Sequence, residues 1–540
     1  MQSQATLLKR RFDSLRQDRL PHENHWRQCF DYSHPIRGQG FNGEIADTTA
    51  TQSQRARMYD ATSTDAGNIL ASGIQGGMTP ANSRWFGIGV WDSTSDEESW
   101  LDESSQRLWE AIHASNFDAE SFEANVDMVD VGWFVLFIDE NRGQDGQVDG
   151  FRFAQWPIAS CYLAASKPGG RVDTLFRPYR LTVEQCVNEF GLDQVGEKVR
   201  QNYLAGKMDE KVDLLHAIYP RQKFVVNAVR ARNLPFASEH IECDSGRMVR
   251  ESGFHEQPFV APRWSVIPNS VYATGPMSAA LPDILTLNEL SKMELLAADL
   301  AVSGMWIAQD DGVLNPRTVK VGPRKIIIAA DTDNMKELKS GSDFTVSFTK
   351  REELRASIRK ILLADQLQPK DGPAMTATEV HVRVQMIRQL LGPIFGRLQA
   401  EYLQPLIERC FGLALRGGLF EPPPESLRDR QYRVIYLSPL AKAQKMEEVS
   451  AIEGTLVSVG QVAAATGSLE AWDNIDLDEG VRHIADGRGM PAQLLRSPEA
   501  VAALREQRAQ AQAAAQQQAA QQAMAQEMAK AGAQRMANAA

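Results

Sequence analysis

Cysteine is scarce in this 540-residue sequence and never clustered. The five thiols stand at Cys29, Cys161, Cys186, Cys243 and Cys410 with no C-x-x-C pair, which argues against a disulfide framework and a zinc site and leaves buried reduced thiols as the ordinary reading. No run of eighteen apolar residues occurs, and MQSQATLLKRRFDSLRQ at the amino terminus has charges where a signal peptide needs its apolar segment. The expectation is a chain in a cytosol, neither spanning a membrane nor secreted. The phosphate-binding pattern G-x-x-x-x-G-K-[ST] is missing, as are G-x-S-x-G, H-E-x-x-H and the dinucleotide-binding glycine pattern. No catalytic residue, metal site or cofactor is therefore expected. Basic residues are also in deficit: 58 Lys and Arg against 69 Asp and Glu give a net charge of −11, the opposite of a dedicated nucleic-acid binder. That excludes tight wrapping of DNA, but not a surface along which DNA slides.

What is present is ordinary globular composition, 43% hydrophobic and 24% charged, at a length that predicts two to four domains or one elongated multi-part subunit. Residues 1–30 read as helix, 60–72 as a second and 98–115 as a third. Gly73, Gly76, Gly77 and Pro80 mark a turn-rich junction before an apolar strand at Trp85, Phe86, Ile88 and Val90. Residues 131–158 read as a β-hairpin. Its Asp139, Asn141, Asp145 and Asp149 miss the calcium-loop template, with Gln144 at position six and Gly150 at position twelve. Between 172 and 264, VDTLFRPYRL, VDLLHAIYP, KFVVNAVRAR and RWSVI predict strands, with a helix near 182–190. A long helix is predicted over 277–303, then short β segments at MWIA, RTVKVG, KIIIAA and FTVSFT. The fold class is α+β, mainly helical.

Three features invite functional readings. His22 and His25 are three apart, with no third metal ligand near, and surface or interface histidines are the stronger reading. Arg351, Arg355 and Arg359 recur every four residues, so one helix face carries three guanidinium groups; ion pairs within or between chains are favoured over phosphate. That helix stops at Gln368, Pro369, Lys370, Asp371, Gly372, Pro373, Ala374 and Met375, where Lys370 stands on a long stem in a short loop. Thr376 and Glu379 then form a capping box that restarts a helix through Arg416, about 60 Å if unbroken. Gly392-Pro393 and Pro405 are expected to kink it. QYRVIYLS predicts one more strand, residues 440–500 return to helix, and the last forty residues are mostly Ala and Gln, with no Leu, Ile or Phe after Leu504. They favour helix but offer almost no apolar face.

The stretches ASGIQGGMTPANSRWF (71–86), GPMSAALPDILTLNELSKMELLAADLA (275–301), AMTATEVHVR (374–383), LGPIFGRLQAEYLQPLIER (391–409) and LSPLAKAQKMEEVSAI (437–452) together resemble the head-to-tail connector, or portal, family of short-tailed bacteriophages. The resemblance covers roughly 5–490. It implies a homo-oligomeric ring, usually a dodecamer, at one capsid vertex of the virion and assembled in the host cytoplasm. Double-stranded DNA would be packaged and ejected through it.

The implied partners are the large terminase subunit, a tail adaptor, and major capsid and scaffolding proteins, with no membrane. The implied parts are a wing over 1–276, a first stem helix over 277–303, a clip over 304–349, and a second stem helix over 350–367. A tunnel loop over 368–375 is followed by a long kinked wing helix and return strand over 376–439. Crown helices over 440–500 and a helix or barrel extension over 501–540 complete the subunit. On this reading Arg351, Arg355 and Arg359 are stem or inter-subunit candidates, and Arg317, Lys320, Arg324 and Lys325 are clip candidates for docking terminase and then adaptor. The competing readings are a ring-forming adaptor or scaffold of virion assembly and, more remotely, a multidomain hydrolase that gathers groups such as His22, His25 and Asp60.

Overall fold

The computed structural model describes residues 4–42, 48–91, 94–143, 148–225, 230–303, 305–308, 335–338, 344–367, 392, 394–427, 430–436, 439–467, 470–488, 495–496, 500–516 and 518. They fall into two compact units, one of residues 1–85 with 107–421 and the other of 86–106 with 422–540. The described elements are helical for the most part, with five small antiparallel sheets.

In the first unit the helices are α1 (Gln4–Asp31), α2 (Pro35–Gly38), α3 (Thr48–Arg55) and α4 (Thr62–Met78), then α5 (Ser95–Ala114), whose first part belongs to the second unit, and α6 (Phe117–Val131). α6 is the hub. Its residues from Ala124 to Val131 are all buried, polar ones included. Asp127 is bound by Arg37 and Gln155, and Asp130 by His34 at 2.8 Å. Burial pushes the Asp127 carboxyl up to about 6 against the pull of Arg37. The helix ends at Gly132, left-handed at φ +92°, where a Cβ would sit 2.2 Å from the carbonyl carbon of Thr274. Gly275 answers it, with room for a Cβ denied by Val129 O at 2.5 Å. Only glycine permits this approach.

Around the hub lies a sheet of β3 (Val148–Trp156), β2 (Val135–Arg142) and β9 (Phe259–Val260), beside a five-stranded meander. The meander runs β4 (Tyr162–Ala164), β5 (Thr174–Thr182), β6 (Lys211–Pro220), β7 (Phe236–Glu242) and β8 (Met248–Phe254). Period-two burial on β6 sends Val212 and Leu214 toward α7 (Val183–Phe190), which Thr182 and Gln185 start with a reciprocal capping box, and α8 (Glu197–Leu204) adds Val199. On another part of the same sheet Leu215, Ala217 and Ile241 pack against Ala5 and Leu8 of α1. The buried Arg19 of α1 stacks 4.2 Å over Tyr162 and donates to Cys161 O and Ala159 O at 2.7 and 2.8 Å, so its charge is spent on locking α1 to the sheet. A short ribbon of β10 (Ser265–Val266) and β11 (Ala273–Thr274) leads into α9 (Pro276–Ser303).

After α9, β12 (Met305–Ala308) pairs antiparallel with β13 (Met335–Leu338). MWIA is thus a strand as expected, whereas RTVKVG and KIIIAA lie outside the described residues. FTVSFT is helical instead: α10 spans Phe344–Ile361, and Ser347 in its first turn donates to Glu294 of α9 at 2.8 Å. Tertiary contact here overrides the β preference of branched residues. The helix expected over 350–367 is broken at Leu363, left-handed at φ +56°, and resumes as α11 (Ala364–Leu367).

Two more expectations change. Gly73, Gly76 and Gly77 do not form a turn but lie inside α4, and Leu367 packs onto Gly73, its Cδ2 2.7 Å from where a Cβ would stand. KFVVNAVRAR is not a strand in its described residues: 231–233 make a 3₁₀ turn, and the strand is β7.

The chain re-enters the described residues as helix at 394–398, opens into a π turn over Gln399–Leu403, and continues as the Gln404–Gly417 helix. Pro405 has no N–H for the Glu401 carbonyl, and the wide turn lies just before it, where that hydrogen bond is lost. It also aims Tyr402 OH at Ser121 of α6 (2.8 Å) and Glu401 at Arg263 (2.6 Å).

In the second unit β1 (Phe86–Gly89) pairs antiparallel with β14 (Arg433–Tyr436), and Ser105 of α5 accepts from Ile88 N at 2.8 Å. The Pro439–Thr466 and Leu477–Arg488 helices are joined by Arg488–Glu453 at 2.6 Å. Residues 500–516 are helical and held by Arg505 on Asp478, also at 2.6 Å.

Candidate functional site

The arginine-bearing helix lies against two others. Leu354, Ile358 and Leu362 give α10 and its end an apolar stripe at four-residue spacing, buried in the unit. Polar side chains beside that stripe clasp α9: Arg351 meets Glu294 at 2.7 Å, and Ser357 donates to Asp283 at 2.7 Å. One turn on, Arg355 forks onto Asp60, with Nε and Nη2 at 2.9 and 2.7 Å from Oδ2, while Nη1 binds Glu352. Asp60 Oδ1 accepts Thr62 N at 2.9 Å, satisfying the start of α4, whose Ala61 has no side-chain cap to offer. Burial acts to raise the Asp60 carboxyl, but the Thr62 hydroxyl and amide and the Arg355 guanidinium outweigh it and hold it below the usual carboxylate range. Asn288 of α9 ties the preceding segment, accepting from Tyr59 N at 2.7 Å and donating to Arg57 O at 3.0 Å. Leu367 on Gly73 closes the assembly at the residue before the Gln368 loop.

Arg351 and Arg355 therefore meet acids of their own chain, and Arg359 is exposed. The loop residues Gln368 to Met375, the capping pair Thr376 and Glu379, and the clip candidates Arg317, Lys320, Arg324 and Lys325 lie outside the described residues. His22 and His25 take separate hydroxyl partners, Ser270 at 3.4 Å and Ser278 at 2.9 Å, and burial lowers both. Asp60, the third group named for a hydrolase, is engaged by Arg355 instead. Among the described residues no three His, Cys, Asp or Glu side chains are grouped to hold a metal, and no helix is long and apolar enough to cross a membrane. Sequence reasoning missed Asp283, Glu294 and Gly73. Asp283 and Glu294, each a single acid in a short apolar stretch of helix, left a local trace.

Paired helices joined by short polar contacts, with a helical hub flanked by small sheets, give a mainly helical α+β fold. The model of the family described as "Bacteriophage head to tail connecting protein" matches residues 5–495, and this chain belongs to that family. The portal protein of Salmonella phage epsilon15 is 28% identical over 530 residues, covering 94% of this chain and 92% of its own. The probable portal protein of Bordetella phage BPP-1 is 27% identical over 535 residues, 95% and 92% of the two chains. The portal protein of Enterobacteria phage T3 is 20% identical over 416 residues, 74% and 72%. The role is that of a head-to-tail connector, and the family is structural.

Proposed function

We propose that copies of this chain assemble into a closed ring, a dodecamer, at one capsid vertex, and that the ring is the conduit through which double-stranded DNA is packaged and later ejected. In this reading α9 and α10 are the stem, and the segment between them is the clip that receives the large terminase subunit and then the tail adaptor. The loop over 368–375 faces the channel, residues up to 276 with the long helix beyond 376 form the wing, and the helices from 440 form the crown. Major capsid and scaffolding proteins surround the ring, which is assembled in the host cytoplasm and carried in the virion.

The observation that carries the reading is the clasp at the stem base. Arg355–Asp60 and Leu367–Gly73 fix the end of the second long helix immediately before a Pro/Gly-rich loop. A loop that must face moving DNA needs a firm root, because the root sets its position while the tip adapts. The net charge of −11 suits a conduit, since many phosphate contacts would oppose sliding. Deletion of 368–375 tests it: the expected result is intact rings with impaired packaging or DNA retention, and full phage yield would reject the loop's role. A ring-forming adaptor without a channel loop predicts that full yield.

A further inference from the structure

The register of the five-stranded sheet brings four basic side chains into one row. Arg177 of β5 pairs with His216 of β6, His216 with His240 of β7, and His240 with Arg250 of β8. Like charges directly opposite one another destabilise a sheet, and the row has few acids to offset that. Glu189 of α7 takes Arg250 at 2.7 Å. Arg177 has neither an ion pair nor a hydrogen bond among the described residues, and its Nε is buried without a partner. It lies 4.3 Å over the Trp156 ring instead. Arg19, Arg263 and Arg409, buried in the same unit, each hold a carboxylate, from Glu23, Glu401 and Glu256.

The two rings stack at 3.9 Å and 14°, His216 Nε2 is 2.9 Å from Ser238 Oγ, and His240 Nδ1 is 2.8 Å from the Tyr179 hydroxyl. Phe190 of α7 lies 5.4 Å from His240, which puts the row on the α7 face of the sheet. Burial first, then the charges of Arg177 and Arg250, hold both rings below their ordinary value, so at neutral pH the row carries two guanidinium charges and two neutral rings. The other titratable groups facing it are Tyr179, Glu189 and Cys186 of α7, and Cys161 just before β4. Burial pushes both thiols up to about 11, so Glu189 is the one anion of this set. An added anion would take the donors of Arg177 and offset the repulsion along the row. These donors come from three strands, not from one planar fork, which suits a tetrahedral oxyanion better than a single carboxylate. Of the four basic residues only Arg250 is exposed, whereas a DNA backbone needs a run of exposed cations. We propose that Arg177, His240, Arg250 and the Tyr179 hydroxyl bind a small oxyanion of the phosphate or sulfate type, with His216 stacked against His240 to position it. Once protonated, His240 donates from Nδ1 to the Tyr179 oxygen, which leaves the phenol O–H free to donate to the ligand.

The test is equilibrium dialysis of the full-length protein against radiolabelled sulfate, which keeps its charge across the range used, at constant ionic strength in chloride. An anion favours the charged ring and raises the folded His240 from about 4, so the complex takes up a proton and tightens as pH falls. The expected result is a single saturable site per chain, about tenfold tighter at about pH 5 than at about pH 7.5. Inorganic phosphate should displace the sulfate, and a short DNA duplex of equal phosphate concentration should not. Arg177→Gln is expected to weaken binding by about tenfold or more. Arg180→Gln, on the opposite face of the same strand and paired with Asp213, should bind as the wild type does. His240→Gln should keep a site whose affinity no longer changes with pH. Absence of saturable binding overturns the proposal, and so does an equal loss in Arg177→Gln and Arg180→Gln, which would mean a response to net charge alone. Displacement by the duplex assigns the row to nucleic acid and overturns the small-ion reading. If Arg177→Gln does not fold, His240→Gln decides: a pH profile like that of the wild type overturns the proposal.

Discussion

The two ends of α9 are held by different physics. At its start Pro276 and Met277 are buried where Gly132 and Gly275 let the backbones of α6 and α9 nearly touch. Toward its other end Glu294 receives Arg351 and Ser347 of α10, while Met293, Leu295 and Leu296 are exposed. The first end has no slack: volume and backbone geometry fix it. The second is fixed in direction by a few charged contacts that contribute modestly to stability. An element packed this way at one end, with Met293, Leu295 and Leu296 exposed toward the other, suits a subunit whose remaining apolar contacts come from other copies.

The comparison breaks most easily at the hub. Gly132→Ala adds a Cβ at φ +92° against the Thr274 backbone, and is expected to cost about 3 kcal/mol or more, read as a lower urea midpoint. A loss under about 1 kcal/mol would mean that the backbones can part, and that the hub is no stiffer than the α9–α10 contact.

Acid should act on the five-stranded sheet before it reaches the Arg355–Asp60 clasp. His216 and His240 stack at 3.9 Å between centroids, facing Arg177, Arg250 and the Tyr179 hydroxyl. Burial, with Arg250 and Arg177, lowers His240 from 6.5 to about 4. Above pH 6.5 both folded and unfolded states are neutral at this site. As pH falls, the unfolded chain takes up its proton first, so the His240 contribution is lost between 6.5 and about 4, and the buried His216 beside it, also held well below 6.5, adds to the loss. The His240 part is about 3 kcal/mol. Asp60, held below the usual carboxylate range, keeps the Arg355 clasp through that window. His240→Gln should flatten the difference in thermal unfolding between pH 7 and pH 4.5 relative to the wild type; an unchanged slope would locate the acid sensitivity elsewhere.

On α10, Arg355→Ala leaves Asp60, 4% exposed, facing a lost partner, while Arg355 itself is 34% exposed and partly screened. A double-mutant cycle with Asp60→Asn should return a coupling of about 1 kcal/mol. Zero coupling would remove the clasp from the account. Smallest of all, Arg359→Ala should change monomer stability by less than about 0.5 kcal/mol, because that side chain is exposed. A larger loss confined to assembled rings would give it an inter-copy partner.

Much of this was legible in the sequence where a periodic pattern was long. The helix expected over 277–303 is Pro276–Ser303, the hairpin expected over 131–158 pairs Val135–Arg142 with Val148–Trp156, and the return to helix expected from 440 is met by Pro439–Thr466 and Leu477–Arg488. FTVSFT failed because a six-residue β-branched run cannot announce that Glu294, fifty-three positions away, will bond its serine. The glycines of α4 misled for the same reason: Gly73 answers Leu367, a neighbour only in space. Leu363 breaks the second long helix without a glycine or proline to mark it. The arginine spacing was visible, but Asp60, 295 residues before Arg355, was not. Local pattern finds elements, and only the fold finds partners.

The most direct test is a single-particle reconstruction of the purified full-length protein. The account predicts a closed ring with a central hole, α9 and α10 of every copy bordering it, the Arg355–Asp60 clasp intact within each chain, and residues 368–375 directed at the hole. A stable monomer, or a ring in which that loop faces outward, would contradict it.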